Sequence, residues 1–158
     1  MDEQRWIFVV RSLDRPGALT SAASVFSNRG VSLEGILGSG IDSNTTQDAR
    51  MLISFQATAA KKEVLRRALE RLSAVVAVEA YPYAAANLRA IASTRLKNSA
   101  LPWLQQTVQD DVQFEIISTQ GDETTVLLNG HTIAVEHLLS QLKDEQALVD
   151  VVMTAIAL

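Results

Sequence analysis

The 158-residue chain contains no cysteine. That absence excludes a disulfide framework, a cysteine-ligated zinc or iron–sulfur site, and a thiol nucleophile. Only two histidines are present, His131 and His137, so a histidine-rich metal site is excluded as well. Aromatic residues make up 5% of the chain, which leaves Val, Leu, Ile and Ala to fill the core. No apolar run approaches the ~20 residues a membrane helix requires. The start, Met1-Asp2-Glu3-Gln4, lacks the basic and apolar stretches of a signal peptide, so a cytoplasmic protein without a membrane partner is expected. A net charge of −4 argues against sequence-independent binding to nucleic acid.

What is present reads as an ordinary folded chain, with 47% hydrophobic and 20% charged residues. The charge is uneven: residues 1–84 carry ten Lys/Arg and nine Asp/Glu, whereas residues 85–158 carry four and nine. Hydrophobic periodicity predicts strands at 5–13, 31–37, 49–57 and 75–83, with a polar turn at 42–47. Helices are predicted at 18–28, with Leu19, Ala22, Ala23 and Phe26 inward, and at 59–72, capped by Thr58. Gly30 is the natural left-handed terminator of the first helix. The second half repeats this order. Strands fall at 88–96, 112–119, 123–128 and 147–156, and helices at 99–109 and 132–143, capped by Ser99 and Thr132.

The expected fold is α+β: two tandem ferredoxin-like βαββαβ domains, residues 1–83 and 88–158, joined by a small-residue linker at 84–87. A single four-helix α+β domain is the alternative. The bare face of each sheet needs a cover, so an oligomer is expected.

The most informative segment is Asp14-Arg15-Pro16-Gly17-Ala18-Leu19, which joins a strand to a helix. Pro16 suits a first helical turn, and Gly17 lets another group approach the backbone. The free amides and the helix dipole there suit a carboxylate, and Asp14 suits an ammonium. The plain alternative is a helix start capped by Asp14. Other candidates are weaker. Gly35, Gly38 and Gly40 lie between two strands, not before a helix, so they read as a bulge or loop and not as a dinucleotide site. His131 and His137 lie about 600° apart on a helix and cannot share a metal. Lys61, Lys62, Arg66, Arg67 and Arg71 form a basic face, with Glu63 and Glu70 placed for i,i+4 pairs. A docking surface for an acidic partner is the other reading of that face. Trp103 reads as core or as a partner anchor.

Asp14, Pro16, Gly17 and Leu19 match the D-x-P-G-x-L turn of the ACT domain, which the N-terminal half therefore resembles. Residues 12–34, SLDRPGALTSAASVFSNRGVSLE, are similar to the start of the regulatory (small) subunit of acetolactate synthase. Asp42 and Arg50-Met51 fall where that subunit has an acidic loop and a strand start, and the second half has its topological equivalent there. The resemblance implies a non-catalytic subunit, homodimeric through its ACT sheets. It would modulate a catalytic subunit that itself carries thiamine diphosphate, FAD and magnesium, with no cofactor in this chain. A branched-chain amino acid such as valine would be the effector. It would bind between two chains at Asp14, Pro16, Gly17, Ala18 and Leu19 of one, and Ser32 and Leu33 of the other. Asp14 and Ser32 stand where valine-sensitive members usually carry Asn. A lost buried hydrogen bond costs about 1–3 kcal/mol, so a site about ten- to a hundredfold weaker for valine is expected. The rival readings are a stand-alone tandem ACT-like amino-acid sensor acting on another partner, a scaffolding module without effector, and a small enzyme on the same fold.

Overall fold

The computed structural model describes residues 2–40, 48–108 and 111–158. The polar turn at 42–47, with Asp42, and the expected end of the third helix at Gln109 lie outside these residues. One unit ends at Ala85 and a second begins at Ala86.

In the first unit the order is β1 (Gln4–Leu13), α1 (Ala18–Ser27), β2 (Leu33–Gly40), β3 (Asp48–Ala57), α2 (Ala59–Glu70) and β4 (Val75–Pro82). The sheet is antiparallel in the order β2-β3-β1-β4. Period-2 alternation sends Phe8 and Val10 of β1 and Met51, Ile53 and Phe55 of β3 to one face. There they meet Ala22, Val25 and Phe26 of α1 and Leu65 and Leu69 of α2. Phe8, Phe26 and Phe55 form a triad with ring centroids 4.7–6.1 Å apart, Phe55 edge-on to both other rings and Phe8 tilted against Phe26. Three of the chain's few aromatics thus sit at the centre of this core, the geometry in which ring quadrupoles attract.

The second unit repeats the pattern as β5 (Leu88–Lys97), a short 3-10 turn at Asn98–Ala100, α3 (Leu101–Thr107), β6 (Val112–Gln120), β7 (Glu123–His131), α4 (Thr132–Asp144) and β8 (Leu148–Ala157). Its sheet runs β6-β7-β5-β8, again antiparallel. Its core is aliphatic: Ala90, Ala92, Leu96, Val126 and Leu128 from the sheet, and Leu104, Val135, Leu138 and Leu142 from the helices. Trp103 packs half-buried against it, which is the core reading of that residue. The tandem βαββαβ expectation is therefore met.

The helix starts needed correcting. Thr58 caps α2 as expected, its hydroxyl accepting from Lys61 N–H at 3.2 Å. Ser99 does not cap α3. Asn98 anchors that corner instead: its amide donates to Gly121 O at 2.9 Å, and its Oδ1 accepts from the Thr124 hydroxyl at 2.6 Å. Thr132 is the first residue of α4 and not its cap, a position held by His131, whose N–H reaches Asp111 O. Gly30 has φ +67, as a left-handed terminator requires, and β2 carries a bulge between Leu33 and Gly35.

The basic face of α2 is paired at Arg66 and Arg67. Arg66 bonds both Glu63 and Glu70, and Arg67 bonds Glu63 at 3.1 Å. The hydrogen bond from Arg66, reinforced by Arg67 and opposed by desolvation, lowers the Glu63 carboxyl from 4.5 to about 2. A depressed carboxyl pKa stabilises above the unfolded value, and that contribution is lost as pH falls through the folded one. Thermal unfolding should therefore show wild type losing stability relative to Glu63→Gln between pH 4.5 and about 2. The difference should be small, since the pair faces solvent. Parallel pH profiles for the two proteins would contradict the pairing.

Candidate functional site

The β1–α1 turn forms the first cluster. Asp14, Arg15, Pro16 and Gly17 are all exposed. Gly17 adopts φ +84 and is itself the N-cap of α1, with no side-chain capping bond. Two expectations are corrected here. Asp14 is not the cap, because three residues separate it from the helix. Pro16 precedes the helix and does not sit in its first turn. Leu19 is a third correction: it is 47% exposed, although it shares a stripe with buried Ala22 and Phe26. It stands in the first turn, outside the core cluster.

The backbone of this turn is open. Ala18 N–H donates to Arg15 O at 3.2 Å and Ser21 N–H to Gly17 O at 2.9 Å. Between them, the N–H groups of Leu19 and Thr20 have no protein acceptor among the described residues. These are first-turn donors of a ten-residue helix, so the partial positive charge of its dipole adds to them. A Cβ built on Gly17 meets nothing within 4 Å. Among the described residues the turn therefore presents free donors, clear space and an exposed Asp14 carboxylate without a partner, side by side.

Ser32 and Leu33 lie at the opposite end of α1. Ten helical residues separate them from the turn, about 15 Å at the helical rise. There they line a groove of about 550 Å³ together with Ala23, Ser27 and Val31. One chain thus brings Asp14, Pro16, Gly17, Ala18 and Leu19 together and leaves Ser32 and Leu33 apart from them.

Two features escape a reading of the sequence. The Ser12 hydroxyl, two residues before Asp14, is buried and has no partner among the described residues. Its position in an alternating strand marked it as inward, but nothing marked it as unpaired. The second is a cavity of about 540 Å³ beside the groove, lined by Glu3, Arg29, Glu34 and Lys61 from four segments of the first unit. The expected separation of His131 and His137 holds, for they line different cavities of the second unit.

No protein-family model matches the sequence, and neither does any curated protein sequence. Solved structures do match. The small subunit of acetolactate synthase from Thermotoga maritima superposes with a TM-score of 0.74 over 98% of both chains, at 16% identity. The fold is that of tandem ACT-like domains. The ligand-free regulatory subunit of aspartate kinase from Thermus thermophilus aligns over 89% of this chain and 97% of its own, at 15% identity and a TM-score of 0.44. The ACT domain of GTP pyrophosphokinase from Chlorobium tepidum covers 51% of this chain and 100% of its own, at 16% identity and a TM-score of 0.42. The ACT-like reading of the first half thus extends to the second, which repeats its strand order without its D-x-P-G turn.

No helix among the described residues is long and apolar enough to cross a membrane.

Proposed function

We propose that this chain is the non-catalytic regulatory subunit of an acetolactate synthase-like, thiamine diphosphate-dependent enzyme, and that a branched-chain amino acid is its effector. The observation that carries the reading is the end-to-end match of both ACT-like units to an acetolactate synthase small subunit. The thiamine diphosphate, FAD and magnesium of the reaction belong to the catalytic partner.

The separation of the candidate residues supports a site shared by two chains. The open turn of one protomer supplies the Leu19 and Thr20 amides for a carboxylate, with the Asp14 charge beside them weakening that hold. The groove at Ser32 and Leu33 of a second protomer receives the apolar side chain. Two chains pair through their ACT sheets, in which β2 and β4 are the free edges. Ligand binding then favours one arrangement of the pair. It biases the bound enzyme by no more than its difference in affinity for the two arrangements.

Titration calorimetry with valine, leucine and isoleucine, against serine and glycine, tests the site. Saturable binding of one branched-chain amino acid, at one ligand per chain or per chain pair, is expected. Asp14→Asn should tighten it about tenfold by removing a carboxylate beside the ligand's own. Binding of none of the three, in wild type and in Asp14→Asn, would overturn the effector assignment.

A further inference from the structure

The cavity of about 540 Å³ in the first unit lies where α1 ends and α2 begins. It is complete within one chain, and its volume falls in the range of small-molecule sites. Its walls are polar and charged. Arg29 and Ser32 come from the α1–β2 connection, Thr58 and Lys61 from the start of α2, Glu3 from the approach to β1, and Glu34 from β2.

The charges on these walls are not balanced by each other. Glu34 is already held by Arg5, Nε to Oε2 at 2.8 Å. The Lys61 ammonium has no partner among the described residues. The Arg29 guanidinium donates to Val25 O at 3.2 Å but meets no carboxylate among the described residues. Four other cations of this unit are engaged, Lys62 stacking over Trp6 at 4.7 Å, Arg66 and Arg67 pairing with Glu63, and Arg5 lying over Tyr83 at 3.7 Å, while Arg15, Arg50 and Arg71 lie outside the cavity without a partner among the described residues. Among the described residues, two unpaired cations from different elements thus line one cavity, with Glu3 as the carboxylate there that has no partner. The positive end of the twelve-residue α2 adds to the same wall. Thr58 uses its oxygen to accept from Lys61 N–H, which leaves its hydroxyl proton free to donate.

We infer that this cavity binds a small organic dianion, a dicarboxylate or a phosphate monoester, its two negative charges shared between Lys61 with the start of α2 on one side and Arg29 on the other. Charge-assisted hydrogen bonds to an ammonium and a guanidinium are the strong ones, and two cations favour a dianion over a monoanion. The site stands apart from the Asp14–Leu19 turn, at the other end of α1, where it shares Ser32 with the groove. It does not depend on the proposed enzyme partner.

Calorimetry at constant ionic strength with succinate and with inorganic phosphate tests the inference, with acetate and valine for comparison. Saturable binding of succinate or phosphate is expected, with acetate at least about tenfold weaker. Lys61→Gln and Arg29→Gln should each weaken it about tenfold or more, with circular dichroism confirming the fold. Arg71→Gln, whose cation lies outside the cavity, and Gly17→Asp, at the turn, should leave it unchanged. Absence of binding by both dianions, equal binding of acetate, or undiminished binding in Lys61→Gln would overturn the assignment. Valine binding that is lost in Gly17→Asp while neither dianion binds would overturn this site and leave the effector site standing.

Discussion

Gly130→Ala should cost the second unit about 3 kcal/mol or more and lower its unfolding midpoint by about 10–20 °C. Gly130 sits in β7, the strand paired on both sides, opposite Val112 of β6 and Ala90 of β5. A Cβ at this position would meet Asp111 O at 2.2 Å and Val112 Cα at 3.0 Å. Both obstacles are backbone, so no rotamer change relieves them. The same carbonyl accepts the N–H of His131, which starts α4. Moving Asp111 therefore disturbs β6, β7 and the helix entry together. Differential scanning calorimetry checks this, with Gly38→Ala as control, because a Cβ at Gly38 meets nothing within 4 Å. A midpoint unchanged to within about 2 °C in Gly130→Ala would show that the close approach is absent.

Gly17→Asp should abolish the response to the effector while the fold survives. The residue occupies φ +84, where a non-glycine residue costs about 1–2 kcal/mol and Asp is among the better tolerated. Space is not the obstacle, since nothing lies within 4 Å of the added Cβ. The introduced carboxylate would compete for the free amides of Leu19 and Thr20 and would add to the charge of Asp14. Both effects oppose a ligand carboxylate. Calorimetry should show no measurable binding of the branched-chain amino acid that wild type binds. Gly17→Ala, which brings the same backbone strain without the charge, should retain it. Undiminished affinity in Gly17→Asp would place the carboxylate elsewhere.

Much of the architecture was readable because its physics is local. The switch from period-2 strands to 3.6-period helices occurs twice in the same order, and that order is the fold. Gly30 and Thr58 were readable for the same reason: a left-handed terminator and a side-chain cap act within a few residues of themselves. Ser99 and Thr132 failed as caps because distant backbone decided those corners. Asn98 reaches Gly121 and Thr124, and His131 reaches Asp111. Leu19 shows that a helical stripe predicts a face but not how far the core extends along it. The D-x-P-G turn was visible as a motif. Its free amides were expected from its place before a helix, but not that Gly17, and not Asp14, takes the cap position without a side-chain bond. Nor was the charged cavity, whose lining residues span positions 3 to 61 and gather only when the sheet forms.

Reconstitution with an acetolactate synthase catalytic subunit tests the regulatory reading most directly. Acetolactate formation from pyruvate is measured with the catalytic subunit alone, with this chain added, and with this chain plus the amino acid that calorimetry selects. The account predicts co-elution of the two chains, a higher rate on addition of this chain, and a rate that the amino acid lowers in wild type but not in Gly17→Asp. An unchanged rate without co-elution, or acetolactate made by this chain alone, would contradict it.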